Sequence, residues 1–403
     1  MPSICFYFQV HQPYRLRKYS VFDIGKNADY FDETKNRGIL EKIVNKCYLP
    51  TNRILLSHLK QYPDFKISFS FSGVLLDQLE EYFPQALETF QELVDTGKVE
   101  ILAETYYHSL AFIYSKDEFK DQIKLHGKKI KKLFGSKPKL LRNTELIYNN
   151  DLAKTAKEMG YAGVLIEGAD KILDWRSPNF IYKPVDVDIP LLLKNYRLSD
   201  DIAFRFSERS WKEYPLTADK YAQWVNAING NGISVNLFMD YETFGEHQWE
   251  STGIFEFLRH LPEKLLNHPD NRFTFPSEVI AQYKPVGELN VPDFVSWADT
   301  ERDVSAWLGN GMQQAAIQKL YDLEKSVKAS RDKQLLHEWR KLQISDHFYY
   351  MCTKWFNDGD VHKYFNPYES PYEGFVYFMN ALNDITQRIQ SRKKGKHTET
   401  KGS

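Results

Sequence analysis

Short apolar segments alternate with longer amphipathic segments over the first two thirds of the chain. The segment SICFYFQV at residues 3–10 is apolar at nearly every position, which is typical of a strand that is buried on both faces. Further segments of this kind follow, and stretches with helical periodicity separate them. The predicted strands span residues 3–10, 65–73, 98–107, 139–146, 161–168, 189–196 and 232–242.

Strands that are joined by helices pair in parallel, because each helix returns the chain to the same end of the sheet. Most of these strands are apolar on both faces and no strong edge strand is evident, which favours a closed sheet. We therefore predict an α/β fold, with a distorted parallel (β/α)7 barrel over residues 1–287 and a C-terminal helical bundle over 288–390. Residues 391–403 are charged and lack apolar side chains, so we expect a disordered tail. Helices are predicted at 33–61, on both sides of Pro84, and at 116–134, 301–330, 333–356 and 372–390.

The charge balance and the composition exclude several classes of partner. The chain has 53 Lys and Arg against 54 Asp and Glu, so it produces no long-range field for nucleic acid or an anionic membrane. No apolar run reaches 18 residues and the N-terminus lacks a signal-peptide pattern, so we expect a soluble, cytoplasmic protein. The three cysteines are far apart and form no disulfide framework or metal-binding pair. The oligomeric state is not specified by these features.

Ionisable side chains follow several of the predicted strands. The first strand ends in HQP at His11, the third leads to YYH, the fourth ends in RNTE at Glu145, and the seventh ends in MDYE at Asp240 and Glu242. In a closed parallel barrel the catalytic groups lie at the carboxyl ends of the strands. Because burying a charge is costly unless the group is paired or functional, this recurrence at one rim indicates a site.

Each of these residues also has a purely structural interpretation. His11 is equally typical of a core histidine with its hydrogen bonds satisfied. Glu145 follows Arg142 closely and is placed for a structural ion pair. Asp240 suits the cap of the following turn. Glu246 and His247 lie beyond Gly245 in a loop, where solvated polar residues are the usual case.

The motifs that are absent narrow the chemistry. The chain has no HExxH or HxxxH, no GxSxG, and no GxGxxG or GxxxxGK[ST] at a strand–helix turn. Metal-dependent hydrolysis, serine hydrolysis and nucleotide binding are therefore disfavoured, and we predict no metal and no cofactor. What remains is a pair of carboxylates from different strands, which is the minimum requirement for glycoside cleavage.

Five segments resemble, in order, the signature regions of glycoside hydrolase family 57, the α-amylase and 4-α-glucanotransferase group with a (β/α)7 barrel. The family usually has Gln where this chain has Lys98, and many members carry a tryptophan where this chain has Arg142 and Asn143. The stretches RNTELIYNN and DYETFGEHQW are most similar to the α-amylase branch. The five segments are HQP (11–13), GKVEI (97–101), RNTEL (142–146), DYETFG (240–245) and SDHFYYM (345–351).

The resemblance implies roles for individual residues. It makes Glu145 the catalytic nucleophile and Asp240 the general acid/base, and it makes the fifth region a part of the helical bundle that closes over the site. Residues expected to bind substrate are His11, Gln12, Glu100, Tyr107, His108, Glu242, Phe244, Trp249, Asp346 and His347.

The implied activity is retaining hydrolysis of α-1,4-glucans such as starch, glycogen or maltooligosaccharides. An aromatic content of 15% fits a sugar-stacking surface as well as an aromatic-rich core. A 4-α-glucanotransferase on the same scaffold and a non-catalytic glucan-binding homologue remain alternatives, with a metal-dependent carbohydrate deacetylase as a third. For the hydrolytic mechanism, the pKa of Asp240 is expected above its usual value of about 3.9.

Overall fold

The computed structural model describes residues 2–354 and 361–399, with side chains as far as residue 392. The contacts among its residues divide the chain into two compact units. Unit 1 comprises Met1–Gln12, Arg37–Tyr106 and Lys120–Trp297, and unit 2 comprises Pro13–Asn36, Tyr107–Phe119 and Ala298–Ser403. Unit 2 thus takes in two segments of the region predicted as one barrel domain, and the predicted boundaries after residues 287 and 390 stay predictions.

Unit 1 contains every strand of the described residues. The seven predicted strands are confirmed as β1–β5, β7 and β8, the first at its predicted length and the others in shorter form, and the structure adds three strands of two residues each. The strands are β1 (Ser3–Val10), β2 (Ile67–Phe71), β3 (Val99–Ile101), β4 (Leu140–Arg142), β5 (Gly163–Glu167), β6 (Lys183–Pro184), β7 (Leu191–Lys194), β8 (Ser234–Asp240), β9 (Arg272–Phe273) and β10 (Glu288–Leu289).

These strands form parallel sheets, as the helical connections predict. The largest sheet has the order β3-β2-β1-β8, with β9 also paired to β1, and the next has the order β4-β5-β7. A two-stranded sheet joins β10 and β6. All of these strand pairs are parallel, so within each sheet the carboxyl ends lie at the same edge.

Hydrogen bonds outside the regular strand pairs connect the two larger sheets. Ala103, just beyond β3, donates its N–H to the Leu140 carbonyl at 2.9 Å and accepts from the Arg142 N–H at 2.8 Å. On the other side, Asn195 just beyond β7 donates its backbone N–H to the Asn236 carbonyl of β8 at 2.9 Å. The three-stranded sheet is therefore bonded to β3 at one edge and to β8 at the other.

The alternation of side chains along the strands separates two apolar cores. Cys5 and Tyr7 of β1 belong to a cluster with residues of β4, β5, β7 and β8, whereas Phe6 and Phe8 belong to a larger cluster with the surrounding helices. Successive side chains of a strand point to opposite faces, so one face of β1 packs among strands and the other among helices.

Helices occur in both units. Pro84 begins α4, as expected for a proline at a first turn. The helices are α1 (Glu33–Ile43), α2 (Leu49–Gln61), α3 (Gly73–Tyr82), α4 (Pro84–Asp95), α5 (Ala111–Tyr114), α6 (Lys116–Phe134), α7 (Asn150–Glu158), α8 (Asp170–Leu173), α9 (Tyr196–Ala203), α10 (Ala218–Asn226), α11 (Ile254–Leu266), α12 (Pro276–Gln282), α13 (Ser305–Leu308), α14 (Gly311–Asp322), α15 (Glu324–Ser330), α16 (Lys333–Lys341), α17 (Ser345–Tyr349), α18 (Val361–Phe365) and α19 (Pro371–Glu399).

Unit 2 is helical in its C-terminal part, as predicted. The segment predicted as one helix over 301–330 is divided into α13, α14 and α15, and Asn310 caps α14 by accepting from the Gln313 N–H at 3.0 Å. α19 includes most of the segment expected to be a disordered tail, and residues 400–403 lie outside the described residues. Within the described part of the chain, no helix is long and apolar enough to cross a membrane.

Candidate active site

A buried hydrogen-bonded group lies at the carboxyl end of the largest sheet. Gln9 near the end of β1 donates its side-chain N–H to Glu104 at 3.0 Å and accepts from the Tyr7 hydroxyl at 3.0 Å. The Ser70 hydroxyl of β2 donates to the same Glu104 carboxylate at 2.5 Å. These side chains are all at most 1% exposed. A fully bonded polar group in this position is rigid, and its carboxylate, Glu104, was not singled out from the sequence.

Glu145 stands in a short 3-10 turn, Thr144–Leu146, directly after β4. Its φ of +58° lies in the left-handed region, which non-glycine residues rarely adopt. Trp297 donates its indole Nε1–H to Oε2 of Glu145 at 2.6 Å, and its backbone N–H donates to the Glu145 carbonyl at 3.1 Å. One residue therefore fixes both the backbone and the carboxylate of Glu145.

Two cationic side chains flank the ring of Trp297. The Arg142 guanidinium carbon lies 4.7 Å from the ring centroid and the Lys194 ammonium lies 5.2 Å from it. Lys194 also pairs with Asp200 at 3.0 Å and with Glu167 at 3.6 Å. The guanidinium of Arg142 is fully buried and has no hydrogen-bond partner among the described residues, which argues against a hydrogen-bonded ion pair with Glu145. The charge of Lys194 is therefore offset by its two acidic partners, and the buried guanidinium of Arg142 lies against the same ring that donates to Glu145.

Asp240 is the last residue of β8 and lies opposite Gln9 in the strand register. It precedes the 3-10 turn Tyr241–Thr243, but its side chain makes no capping hydrogen bond to that turn. The structural interpretation as a cap is therefore not supported. Asp240 thus adjoins the buried polar group that contains Gln9 and Glu104.

Glu242, two residues beyond Asp240, is fully buried. The Tyr48 hydroxyl donates a hydrogen bond to its carboxyl group, and Gln12 forms another. Burial, followed by the negative charge of Asp240, raises the pKa of Glu242 from 4.5 to about 8. Glu242 therefore binds its proton more tightly than an ordinary glutamate when Asp240 beside it is ionised.

His11 and Gln12 follow β1 at the same edge. Nδ1 of His11 is 2.6 Å from the Ser72 hydroxyl, and Ser72 accepts from the Leu75 N–H to cap α3. The backbone carbonyl of Gln12 accepts from the Gln78 side chain at 2.9 Å. The hydrogen bond of His11 agrees with its interpretation as a structural histidine. Its position just beyond β1 agrees equally with a role in the candidate site.

Glu100 is not brought to this edge. It lies opposite Ser68 in the strand register, four residues before Glu104, and its carboxylate accepts from the Ser277 N–H at 3.0 Å. Because a strand rises by about 3.3 Å per residue, the two glutamates are roughly 13 Å apart along the chain direction. Burial raises the pKa of Glu100. Glu100 therefore lies within β3 itself, whereas Glu104 lies beyond the carboxyl end of that strand.

The remaining predicted residues of unit 1 are divided between core and surface. Phe244 is fully buried and packs edge-on against Phe8, so its position indicates packing rather than contact with a ligand. Trp249 is 59% exposed. The expectation that Glu246 is a solvated loop residue is wrong, because its carboxylate is buried and pairs with Lys42 at 2.5 Å.

Four predicted residues lie in unit 2, where the chain around residue 108 contacts the chain around residue 345. The His108 carbonyl accepts from the Ser345 N–H at 2.9 Å, and the Tyr107 hydroxyl is 2.8 Å from Nδ1 of His337. Asp346 and His347 follow Ser345 in α17, and burial lowers the pKa of His347 to about 4. Substrate binding by Tyr107, His108, Asp346 and His347 stays a prediction.

Among the described residues, no group of three or more histidine, cysteine, aspartate and glutamate side chains is arranged to hold a metal ion.

Comparison with protein-family models relates the sequence to known enzymes. The model described as "Glycosyl hydrolase family 57" matches residues 5–292, which include the first four of the five signature segments. The chain belongs to glycosyl hydrolase family 57. This membership confirms the resemblance and the prediction of a glycoside hydrolase.

Relatives within the family carry several names. A Methanocaldococcus jannaschii protein named "Putative alpha-amylase" is 45% identical over 403 residues, covering 96% of this chain and 85% of the relative. An α-amylase of Pyrococcus furiosus is 24% identical over 259 residues, covering 63% of this chain but only 38% of that protein. The matched part of this family 57 chain therefore spans well under half the length of the Pyrococcus enzyme.

A solved structure is similar over almost the whole chain. The crystal structure of a family 57 branching enzyme from Thermococcus kodakaraensis has a TM-score of 0.66 at 15% identity, with 97% of this chain and 94% of that chain covered. At this level of identity the similarity supports the α/β fold of the family and not a particular reaction.

Two residues of the candidate site were not predicted from the sequence, Glu104 and Trp297. Glu104 carried a local signal, since it lies within the predicted third strand, which ends at residue 107, but the resemblance to the family motif indicated Glu100 instead. Trp297 carried no local signal, because its contact with Glu145 joins residues that are 152 positions apart in the sequence.

Proposed function

We propose that this family 57 chain is a retaining glycoside hydrolase that cleaves α-1,4-glucans. The observation that carries the proposal is the carboxylate of Glu145, which Trp297 holds in place just beyond the end of a parallel strand. Asp240 supplies the second carboxylate from the end of another strand. The 45% identity to a relative whose name contains α-amylase supports the choice of substrate.

The proposed scaffold is a distorted (β/α)7 barrel made of β1–β5, β7 and β8. The hydrogen bonds of Ala103 with β4 and of Asn195 with β8 support closure of the sheet. The cluster that Cys5 and Tyr7 form with inward residues of four other strands fits the interior of such a barrel. In this scaffold the catalytic groups lie at the carboxyl ends of the strands.

The proposed reaction is a double displacement. The Glu145 carboxylate attacks the anomeric carbon while Asp240 donates its proton to the leaving glycosidic oxygen, which gives a covalent glycosyl ester and a shortened glucan. Asp240, now ionised, then takes a proton from water as the water oxygen attacks the anomeric carbon, and Glu145 leaves as a carboxylate. Retention in this way requires carboxyl groups about 5–5.5 Å apart, and it requires Asp240 to be protonated at the start.

The buried residues around Asp240 have supporting roles in this proposal. Glu242 places a second buried carboxyl group, with a raised pKa, beside Asp240, and the Gln9–Glu104 pair fixes the end of β1 next to it. Glu104 therefore replaces Glu100 in the proposed site. His11 and Trp249 remain proposed contacts to the sugar.

A 4-α-glucanotransferase remains the second candidate. Transfer differs from hydrolysis only in the acceptor of the second step, which is a glucan hydroxyl instead of water, so the same two carboxylates serve both reactions. The specific observation in its favour is the sequence similarity to a Thermococcus kodakarensis protein named 4-alpha-glucanotransferase, which is 25% identical over 256 residues.

Product analysis with maltoheptaose tests the proposal and separates these alternatives. Hydrolysis predicts shorter products together with a rise in reducing ends. Transfer predicts both longer and shorter products at a constant number of reducing ends. Glu145→Gln should abolish either outcome, whereas Glu256→Gln, an exposed helical residue, should behave like the wild type. If wild type and Glu145→Gln are equally inert, a non-catalytic glucan-binding protein is the better account.

A further inference from the structure

A cavity of about 280 Å3 opens in unit 1 at the carboxyl ends of β5 and β7. Gly168, directly after β5, and Asn195, directly after β7, both line it. A side chain at Gly168 would meet the Lys194 carbonyl at 2.2 Å, so only glycine allows the two strand ends to approach this closely. The cavity thus lies at the edge where Glu145 and Asp240 follow their own strands.

Polar groups on the wall of this cavity are held in place by one another. The Asn195 side-chain N–H donates to Oδ1 of Asn179 at 3.0 Å, and Oδ1 of Asn195 accepts from the Leu198 N–H at 3.2 Å. The Tyr196 hydroxyl donates to Asp170 at 2.8 Å. Such preorganised donors and acceptors lose little entropy when they bind a ligand.

An exposed tryptophan stands at the rim. Trp175 lies between Asp174 and Arg176, which both line the cavity, and it is 84% exposed. The Arg176 guanidinium carbon is 5.3 Å from the centroid of the indole. Asp174 has a φ of +58°, which turns the chain sharply just before the ring. An indole with this exposure presents a flat apolar surface, and covering that surface with a ligand stabilises the complex.

The chemistry of the wall selects an uncharged, hydroxyl-rich ligand. Its acidic groups, Asp170 and Asp174, are balanced by Arg176 and Arg197, so an anion is not favoured over a neutral molecule. The volume is near the lower limit for small-molecule sites, on the order of 300 Å3, which suits a sugar ring rather than a macromolecule. Sugar rings combine hydroxyl groups for the polar wall with a C–H face for the indole.

We propose that Trp175 and this cavity form an accessory α-glucan-binding subsite at the carboxyl edge of β5 and β7. The choice of an α-glucan as the ligand rests on the proposed function of the chain. Trp175 stacks on one sugar ring, and the fixed side chains around Asn179 and Asp170 bond the hydroxyl groups of a ring in the cavity.

Affinity electrophoresis of the full chain in gels that contain glycogen tests the subsite. The Glu145→Gln variant serves as the parent, so that turnover does not remove the ligand. Trp175→Ala in this background should raise the dissociation constant for glycogen on the order of tenfold. Trp175→Tyr, which keeps a ring, should restore most of the affinity. Phe22→Ala, which removes an exposed ring in unit 2, is the matched control and should not change it.

The outcomes separate the subsite from the proposed reaction. If Trp175→Ala binds glycogen as tightly as its parent, or if the parent itself does not bind, the subsite is overturned. Turnover of maltoheptaose by the wild type is measured independently and tests the reaction alone. Glycogen binding that depends on Trp175 in a chain without turnover would uphold the subsite and reject the hydrolase.

Discussion

Trp297 donates its indole N–H to the carboxylate of Glu145 at 2.6 Å, across 152 positions of sequence. Its backbone N–H donates to the carbonyl of the same residue at 3.1 Å. Because Glu145 has a left-handed backbone conformation, these two bonds stabilise a geometry that the residue would not adopt alone. The proposed nucleophile is thus held in place by a residue far away in the chain.

Replacement of Trp297 by Phe removes the hydrogen bond to Glu145 and keeps most of the ring. A bond that favours the charged carboxylate lowers its pKa, so its loss should move the acidic limb of the kcat/KM profile to higher pH. A hydrogen bond to a charged group contributes about 1.5–3 kcal/mol, which corresponds to a roughly 10- to 100-fold loss of kcat/KM. The pH profile should be compared with that of Trp211→Phe, a ring that packs against Trp224 away from this site. An unchanged acidic limb would contradict the role of Trp297.

Replacement of Arg142 by Met should separate activity from stability. The guanidinium is fully buried without a hydrogen-bond partner among the described residues, so an apolar side chain of similar size should leave the free energy of unfolding unchanged or raise it by about 1–4 kcal/mol. Loss of the positive charge should also raise the pKa of Glu145 and lower kcat/KM at acidic pH. Urea unfolding and a pH profile measure the two effects. A clear loss of stability with an unchanged pH profile would show that Arg142 is structural only. Arg259→Met, on the exposed face of α11, is the control.

Glu242 should make the protein less stable as the pH rises. Its pKa is about 8 in the folded chain against 4.5 as the ordinary value, so between these values the native state binds a proton that the unfolded state has lost. The contribution of Glu242 to the free energy of unfolding is therefore present below about pH 4.5 and is lost towards pH 8, by at most about 1.4 kcal/mol per pH unit.

The variant Glu242→Gln isolates this contribution, because it does not titrate. Urea unfolding at pH 5 and pH 8 should show that wild type loses more stability over this interval than Glu242→Gln does. Other buried groups that titrate, such as His347, contribute equally to both proteins, so they drop out when the two changes in the free energy of unfolding are subtracted. Equal pH dependence in the two proteins would contradict a raised pKa of Glu242.

The strands were predictable because their signal is local. Segments such as Ser3–Val10 are apolar at most positions, and each parallel strand needs such a segment to be buried on both faces. Helix α14 also carried a local signal that the periodicity obscured. Asn310 between two glycines is a helix cap, and it divides the segment predicted as one helix.

The details of the site were only partly predictable. Asp240 and Glu145 were found from their positions after strands, whereas the choice between Glu100 and Glu104 depends on the register of β3 with β2, which a single strand does not specify. The contact of Trp297 depends on the tertiary fold as a whole. No spacing or periodicity in the sequence records it.

Azide rescue of catalytic-site variants tests the central assignment most directly. With α-maltosyl fluoride, which needs no acid catalysis, Glu145→Ala should be inactive until azide enters the space of the missing carboxylate. Azide then displaces fluoride from the anomeric carbon in a single step that inverts its configuration, so the product should be β-maltosyl azide. In Asp240→Ala, azide instead attacks the covalent intermediate on Glu145, and the product should be α-maltosyl azide.

NMR of the two products distinguishes the anomers. Opposite anomers from the two variants are the predicted result, whereas no rescue of Glu145→Ala, or α-maltosyl azide from it, would contradict its role as the nucleophile.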